Sequence, residues 1–279
     1  MMHMYSTKAW TAGLVLISGL WLTAAARVPL NATSPSVLLV NGDTVSANEG
    51  CIVTGQYPRG TMIVFRAEVR TENGTLAPPT DKVSVHLSDG KTLPMIDIPH
   101  PFPGKPMYWV ATWVIPMNAK LGTMTYTITA TDSTNGEHGI FYPFPTPNSL
   151  PTIVPYTYTP TVSVTAAGKS TPFVKTDTWL TINAPIDLSV PEGKKTVEVP
   201  LTQGQVSAEL GSAGVTTSSG TPKAITTVAL HFDRVTKSWD GNLQVPSKTP
   251  PGAYEIEVTG HDAYGNVVDS TPVYLAVDE

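Results

Sequence analysis

A single stretch occurs twice in this chain and restricts what it can fold into. Trp109–Asp132 reads WVATWVIPMNAKLGTMTYTITATD, and Trp239–Asp262 reads WDGNLQVPSKTPPGAYEIEVTGHD. In each, Trp is followed seven residues later by Pro (Pro116, Pro246), six later by Gly (Gly122, Gly252) and ten later by Asp (Asp132, Asp262). After Gly, the apolar residues Met124, Tyr126 and Ile128 alternate with threonines, as Tyr254, Ile256 and Val258 alternate with Glu255, Glu257 and Thr259. A period of two is that of a strand with one dry and one wet face. Pro lacks the N–H that a central strand needs, so the segment before it ends there. Gly supplies the turn, and Asp opens the next one. Trp109 and Trp239 are each large enough to anchor a core. Copies about 130 residues apart predict two similar domains.

The N-terminus reads as a targeting segment. Lys8 precedes the run AWTAGLVLISGLWLTAAA, and Ala24 and Ala26 supply a small-residue cleavage site. We expect residues 1–26 to be a signal peptide or, at this apolar length, an uncleaved anchor, the only route to a membrane. The expected location is exported: periplasmic, extracellular or cell-surface. With 26 Pro, 22 Gly, one Cys and 14% charged residues at a net charge of −5, the chain has neither the basic clusters that nucleic acid demands nor the cysteines for an intrachain disulfide.

Between these landmarks the expected domains are 32–144 and 161–279, joined by a Pro-rich linker over 145–160. Ala32–Gln56 suggests a lead-in and a first hairpin, with VLLV before the turn signal Asn41-Gly42-Asp43 and Cys51-Ile52-Val53 after it. Ile63, Phe65, Ala67 and Val69 mark the dry face of a strand, and Asn73-Gly74 and Asp89-Gly90 mark turns. Leu93–Met107 is rich in Pro and predicts a long loop, and Gly204–Gly220, rich in small residues, predicts a mobile one. Short strands punctuated by turns give an all-β chain of two tandem β-sandwiches.

The stretch VPSKTPPGAYEIEVTGHDAYGNVVDS resembles the last strand pair of exported bacterial immunoglobulin-like or fibronectin-III-like modules, with a P-x-G-x-Y turn and a D-x-x-G-N hairpin. The first copy matches more loosely. The resemblance implies the immunoglobulin-like sandwich, with a tyrosine-corner hydrogen bond at Tyr254 and none at Met124. It implies a role as spacer, adhesin, accessory or partner, and no specific activity.

The sequence offers residues for three kinds of site. Soft donors Cys51, Met95, His100 and Met107, with Met117 and Met124 nearby, suit copper, although a small buried Cys is the ordinary reading. Asp262, Asn266 and Asp269, or Asp132 and Glu137, offer oxygens for calcium at the hairpins, against the ordinary Asp turn. Aromatics in and beside the Pro-rich segments (Phe102, Tyr108, Trp113, Tyr142, Phe144, Tyr156) offer a partner surface, against packing between domains. No hydrolase, metalloprotease or phosphate-loop motif occurs. His231 with Asp233 and His261 with Asp262 are the only His–Asp neighbours, and adjacent strand residues face opposite ways. Asn31 and Asn73 match the glycosylation pattern. The expectation is a non-enzymatic module that binds an envelope or extracellular protein, with no cofactor. The alternative is a periplasmic copper or redox accessory.

Overall fold

The computed structural model describes residues 37–47, 53–99, 108–145, 150–192, 195–216 and 222–278. The expected signal segment and Asn31 lie outside these residues. The described chain is all-β. Its first half holds β1 (Leu39–Ser46), β2 (Gln56–Pro58), β3 (Met62–Arg70), β4 (Lys82–Leu87), β5 (Thr92–Pro94), β6 (Ile96–Ile98), β7 (Tyr108–Val114), β8 (Gly122–Thr123), β9 (Tyr126–Thr131), β10 (His138–Phe141) and β11 (Thr152–Val154). The second half holds β12 (Thr157–Tyr158), β13 (Ser163–Ala166), β14 (Phe173–Lys175), β15 (Trp179–Ala184), β16 (Asp187–Glu192), β17 (Lys195–Pro200), β18 (Gly204–Thr216), β19 (Pro222–Ala229), β20 (His231–Asp233), β21 (Ser238–Gln244), β22 (Gly252–Asp262), β23 (Val267–Asp269) and β24 (Val273–Asp278).

In the first half, sheet β1-β3-β7-β6 faces sheet β10-β9-β4-β5. The period-two sequences explain the core. Ile63, Phe65, Ala67 and Val69 of β3 point inward, as do Tyr126, Ile128 and Ala130 of β9, and Phe65 meets Tyr126 edge-on at 5.1 Å. Each large apolar side chain so buried contributes about 1.5–3 kcal/mol before entropic costs. In the second half, sheet β13-β15-β21-β20 faces a sheet built on β18 and β22, and Leu180, Ile182, Leu210, Leu243 and Ile256 fill the space between. Both repeat tryptophans are buried, Trp109 in one core and Trp239 in the other. The Trp239 indole N–H donates to Leu201 O at 2.7 Å. The tyrosine corner forms where expected: Tyr254 Oη donates to Pro250 O at 2.7 Å, and Met124 occupies the matching core position of the first copy.

Several local expectations are overturned. Asn41-Gly42-Asp43 is no turn and lies in the middle of β1. Asp43 faces Arg66 across the β1–β3 ladder and takes a two-pronged ion pair from it, at 2.8 and 2.5 Å, which fixes the extended pairing. Gly42 is there for space, because a Cβ would stand 2.6 Å from Ile128 Cδ1. The Leu93–Met107 stretch is not wholly loop: β5 pairs with β4 in one sheet and β6 with β7 in the other. The chain changes sheets at buried Met95, just after Pro94 ends the first pairing.

Most of the expected mobile loop is β18, which pairs with β22 and β19. Its small residues hide an alternation in which Val206, Ala208 and Leu210 are buried. The Pro-rich segment between the halves is also paired. β11 lies parallel to β2 and antiparallel to β8, whereas β12 lies parallel to β23. Ile153 is therefore in the first core and Tyr158 in the second.

Candidate functional site

The halves meet around a buried arginine. Pro58 ends β2, and Gly60, at φ +78°, turns the chain so that Arg59 reaches across the junction. Its guanidinium donates to Ala119 O (Nε, 2.7 Å, and Nη2), to Tyr264 O (Nη1, 2.8 Å) and to Asn266 Oδ1 (Nη1, 3.1 Å). Asn266, fully buried, is saturated. Its Oδ1 also accepts from the Tyr156 N–H at 3.1 Å, and its Nδ2 donates to Met117 O at 3.2 Å and Asp262 Oδ2 at 2.6 Å. Only one orientation of the amide satisfies all four contacts. The carboxylate of Asp262 thus lies one amide away from the guanidinium. The Met117 side chain packs on the second core. Burying a charge is costly unless it is well hydrogen-bonded, and here acceptors from both halves take four of the five guanidinium N–H donors.

This junction accounts for one calcium candidate. Asp262 Oδ1 accepts from the N–H groups of Tyr264 and Asn266 at 2.8 and 2.9 Å, and Oδ2 from Asn266 Nδ2 and Tyr158 Oη. Burial, then the charge of Asp262, holds the Tyr158 phenol well above its ordinary range. Asp269 is exposed on β23. Asp132 caps its own exposed turn through Thr134 and Asn135 N–H at 2.6 and 3.1 Å, bonds that hold its carboxyl below the usual range. Glu137 accepts from the Asn135 side chain. Among the described residues, no group of three or more His, Cys, Asp or Glu is placed to hold a metal ion.

Of the copper candidates, Met95 and Met124 are buried in the first core and Met117 lies in the junction. Cys51, His100 and Met107 lie outside the described residues. His261 is exposed while Asp262 is buried, so the two face opposite ways. His231 stands opposite Asp240 across the β20–β21 ladder.

The aromatic candidates divide. Trp113 is buried beside Trp109 in the core, with Lys91 Nζ 5.6 Å from its ring centroid. Tyr156 packs on the second core, edge-on to Tyr158 at 4.9 Å. These two pack rather than face outward. Tyr108 is half-buried, and Phe102 lies outside the described residues. Tyr142 and Phe144 are 68% and 76% exposed. Tyr142, Pro143 and Pro145 border a mainly apolar groove of about 420 Å³ over Leu87, Thr125 and Tyr126.

Sequence reasoning missed Arg59, read only as half of a turn, and Trp179. No local pattern marks a turn arginine as a junction residue. Trp179 could have been found by parity, because Leu180, Ile182 and Ala184 claim the dry face of β15 and leave Trp179 on the wet one.

No protein-family model matches the chain, and no curated protein matches it in sequence. Among solved structures it is similar to fibronectin(III)-like modules of CbhA from Clostridium thermocellum, with 15% identity, TM-score 0.25, and coverage of 84% of this chain and 92% of that one. It is also similar to a bacterial ice-binding adhesin, with 14% identity, TM-score 0.28, and coverage of 87% and 66%. A tandem repeat from the extending region of a large adhesion protein gives 15% identity and TM-score 0.29, over 87% of this chain and 49% of that one. The chain resembles these modules at the level of fold alone.

Proposed function

We propose that the chain is an exported, non-enzymatic binding module. It comprises two tandem sandwiches locked into one rigid unit, which docks on an envelope or extracellular protein through the strip at Tyr142 and Phe144. The observation that carries this reading is the Arg59–Asn266 network, in which buried donors and acceptors from the two halves satisfy one another. A junction of that kind holds the surfaces on either side in a fixed relation, and preorganisation reduces the entropy lost on binding. The groove beside the two exposed aromatics gives an anchor point of the kind that dominates interfaces. The repeat architecture and the adhesin-like fold support the same reading. Nothing in the described residues favours the copper alternative over it.

The test is affinity capture with the tagged chain, lacking residues 1–26, from its own envelope fraction. A stoichiometric protein should be recovered and cross-linked at the strip, and both signals should be lost in the double variant Tyr142→Ala, Phe144→Ala. Capture that survives this variant would reject the strip as the docking surface.

A further inference from the structure

Trp179 is 59% exposed, whereas Trp109, Trp113 and Trp239 are each at most 7% exposed. Its indole makes no hydrogen bond or ring contact with any described residue. Its neighbours on the outer face of sheet β13-β15-β21-β20 are set by register. Gln244 lies opposite Trp179, Asn242 opposite Thr181, Asp240 opposite Asn183, and His231 beyond Asp240. At about 3.3 Å per residue, the row from Trp179 to Asn183 is roughly 13 Å long. It ends beside a groove of about 410 Å³ lined by Thr181, Val228, His231, Asp240 and Asn242.

The polar groups of this face are partly spent and partly open. Asp240 accepts from Asn183 Nδ2 and Ser238 Oγ at 2.7 and 2.8 Å and from Thr236 Oγ1 at 3.2 Å, so its charge is tied down within the face. Thr181 donates to Asn242 Oδ1 at 3.1 Å, which aims the Asn242 amide and leaves its NH₂ with no partner among the described residues. Gln244 and His231 likewise make no side-chain hydrogen bond among them. Neither Lys nor Arg occurs in any of the four strands.

We propose that this face binds a neutral oligosaccharide. One side of a pyranose ring is a sheet of C–H bonds that stacks on an aromatic ring, and Trp offers the largest such surface. The ring's hydroxyls each donate and accept, and amides answer them with both functions. An anionic ligand would find no Lys or Arg on these strands and would meet the carboxylate of Asp240. A protein partner would want an apolar centre, and Trp179 is the only large apolar side chain at an outward position of these strands. The site shares no residue with the Tyr142–Phe144 strip, so either can fail alone.

Native gel electrophoresis through matrices containing a soluble β-glucan, a xylan or a galactomannan provides the test. At least one of the three polysaccharides should retard the protein, with a matching change in tryptophan fluorescence on titration. Trp179→Ala should weaken binding about tenfold or more and abolish the fluorescence change. Asn242→Ala should weaken binding less, Trp179→Phe should retain part of it, and the Tyr142→Ala, Phe144→Ala variant should bind as the wild type does. Retardation by none of the three polysaccharides, or retardation unchanged in Trp179→Ala, would overturn the proposal.

Discussion

In the first copy of the Trp-to-Asp unit, Asp132 sits in a solvent-exposed turn tied to its own hairpin and, through the Ser133 N–H and hydroxyl, to Asp81. In the second, Asp262 opens a turn one residue shorter, closing at Asn266 rather than at Glu137, and the pair is buried between the halves. The strands leading to these turns carry the same alternation. Place in the fold separates them: the first half reaches the junction through Arg59 and Ala119, in the loop before β9, and Asp132 lies at the opposite end of that strand, whereas the second turn sets Asn266 on the guanidinium. A repeated sequence thus yields a repeated strand, while its ends are free to acquire different work.

The sharpest break of this comparison is at the junction. Replacing Asn266 with Ala leaves Arg59 Nη1, the Tyr156 N–H, Met117 O and Asp262 Oδ2 short of partners. We expect a loss of about 3 kcal/mol, since each orphaned buried group costs about 1–3 kcal/mol and relaxation recovers part of the total. Glu137→Ala, at the matching turn, should stay within about 0.5 kcal/mol of wild type. Urea unfolding of both variants measures the difference, and equal effects would show the junction to be incidental. The next effect is smaller. Tyr254→Phe deletes the bond to Pro250 O and should cost about 0.5–1.5 kcal/mol, with the contacts of Asn266 untouched, so its effect should add to that of Asn266→Ala.

The smallest expected effect concerns the outer face of β22. Glu257 stands opposite Glu209 across the β18–β22 ladder. Burial, followed by the charges of Glu255, Asp269 and Glu209, raises its carboxyl above the ordinary range. A carboxyl raised in the folded state binds more protons folded than unfolded, so stability falls as pH rises through the window from the ordinary value to the raised one. Glu257→Gln should therefore stabilise the protein at neutral pH by about 0.2–1 kcal/mol, the scale of one cross-strand pair. The gain should vanish below the ordinary Glu value of about 4.3. Unfolding midpoints across that pH range test the sign, and a stabilisation that grows towards low pH would contradict it. At Asp132 the direction is reversed: its lowered value contributes stability that is full above the ordinary Asp range and is lost as pH falls from there through the lowered value.

The strands of both cores were legible in the sequence, as was the tyrosine corner, because the residues that form them lie within one strand or a few positions of each other. Ile63 to Val69 and Tyr254 to Val258 alternate with the period of the pleat, and that period alone decides which side chains are dry. Asn41-Gly42-Asp43 misled because its turn propensity is local, whereas the Arg66 ion pair and the crowding by Ile128 come from distant strands. Gly204–Thr216 misled because small residues carry little hydrophobic signal until β19 and β22 flank them and the facing sheet covers one side. The chemistry of the candidate surfaces was less legible still. Trp179 is an outward residue by parity, but the amides beside it, Asn242 and Gln244, come from β21, some sixty residues away. By itself, the sequence determined an all-β chain with a repeated Trp-to-Asp strand pair. Only the tertiary structure joined Arg59 to Asn266, more than two hundred residues on, because a buried guanidinium is tolerated only where distant acceptors converge on it.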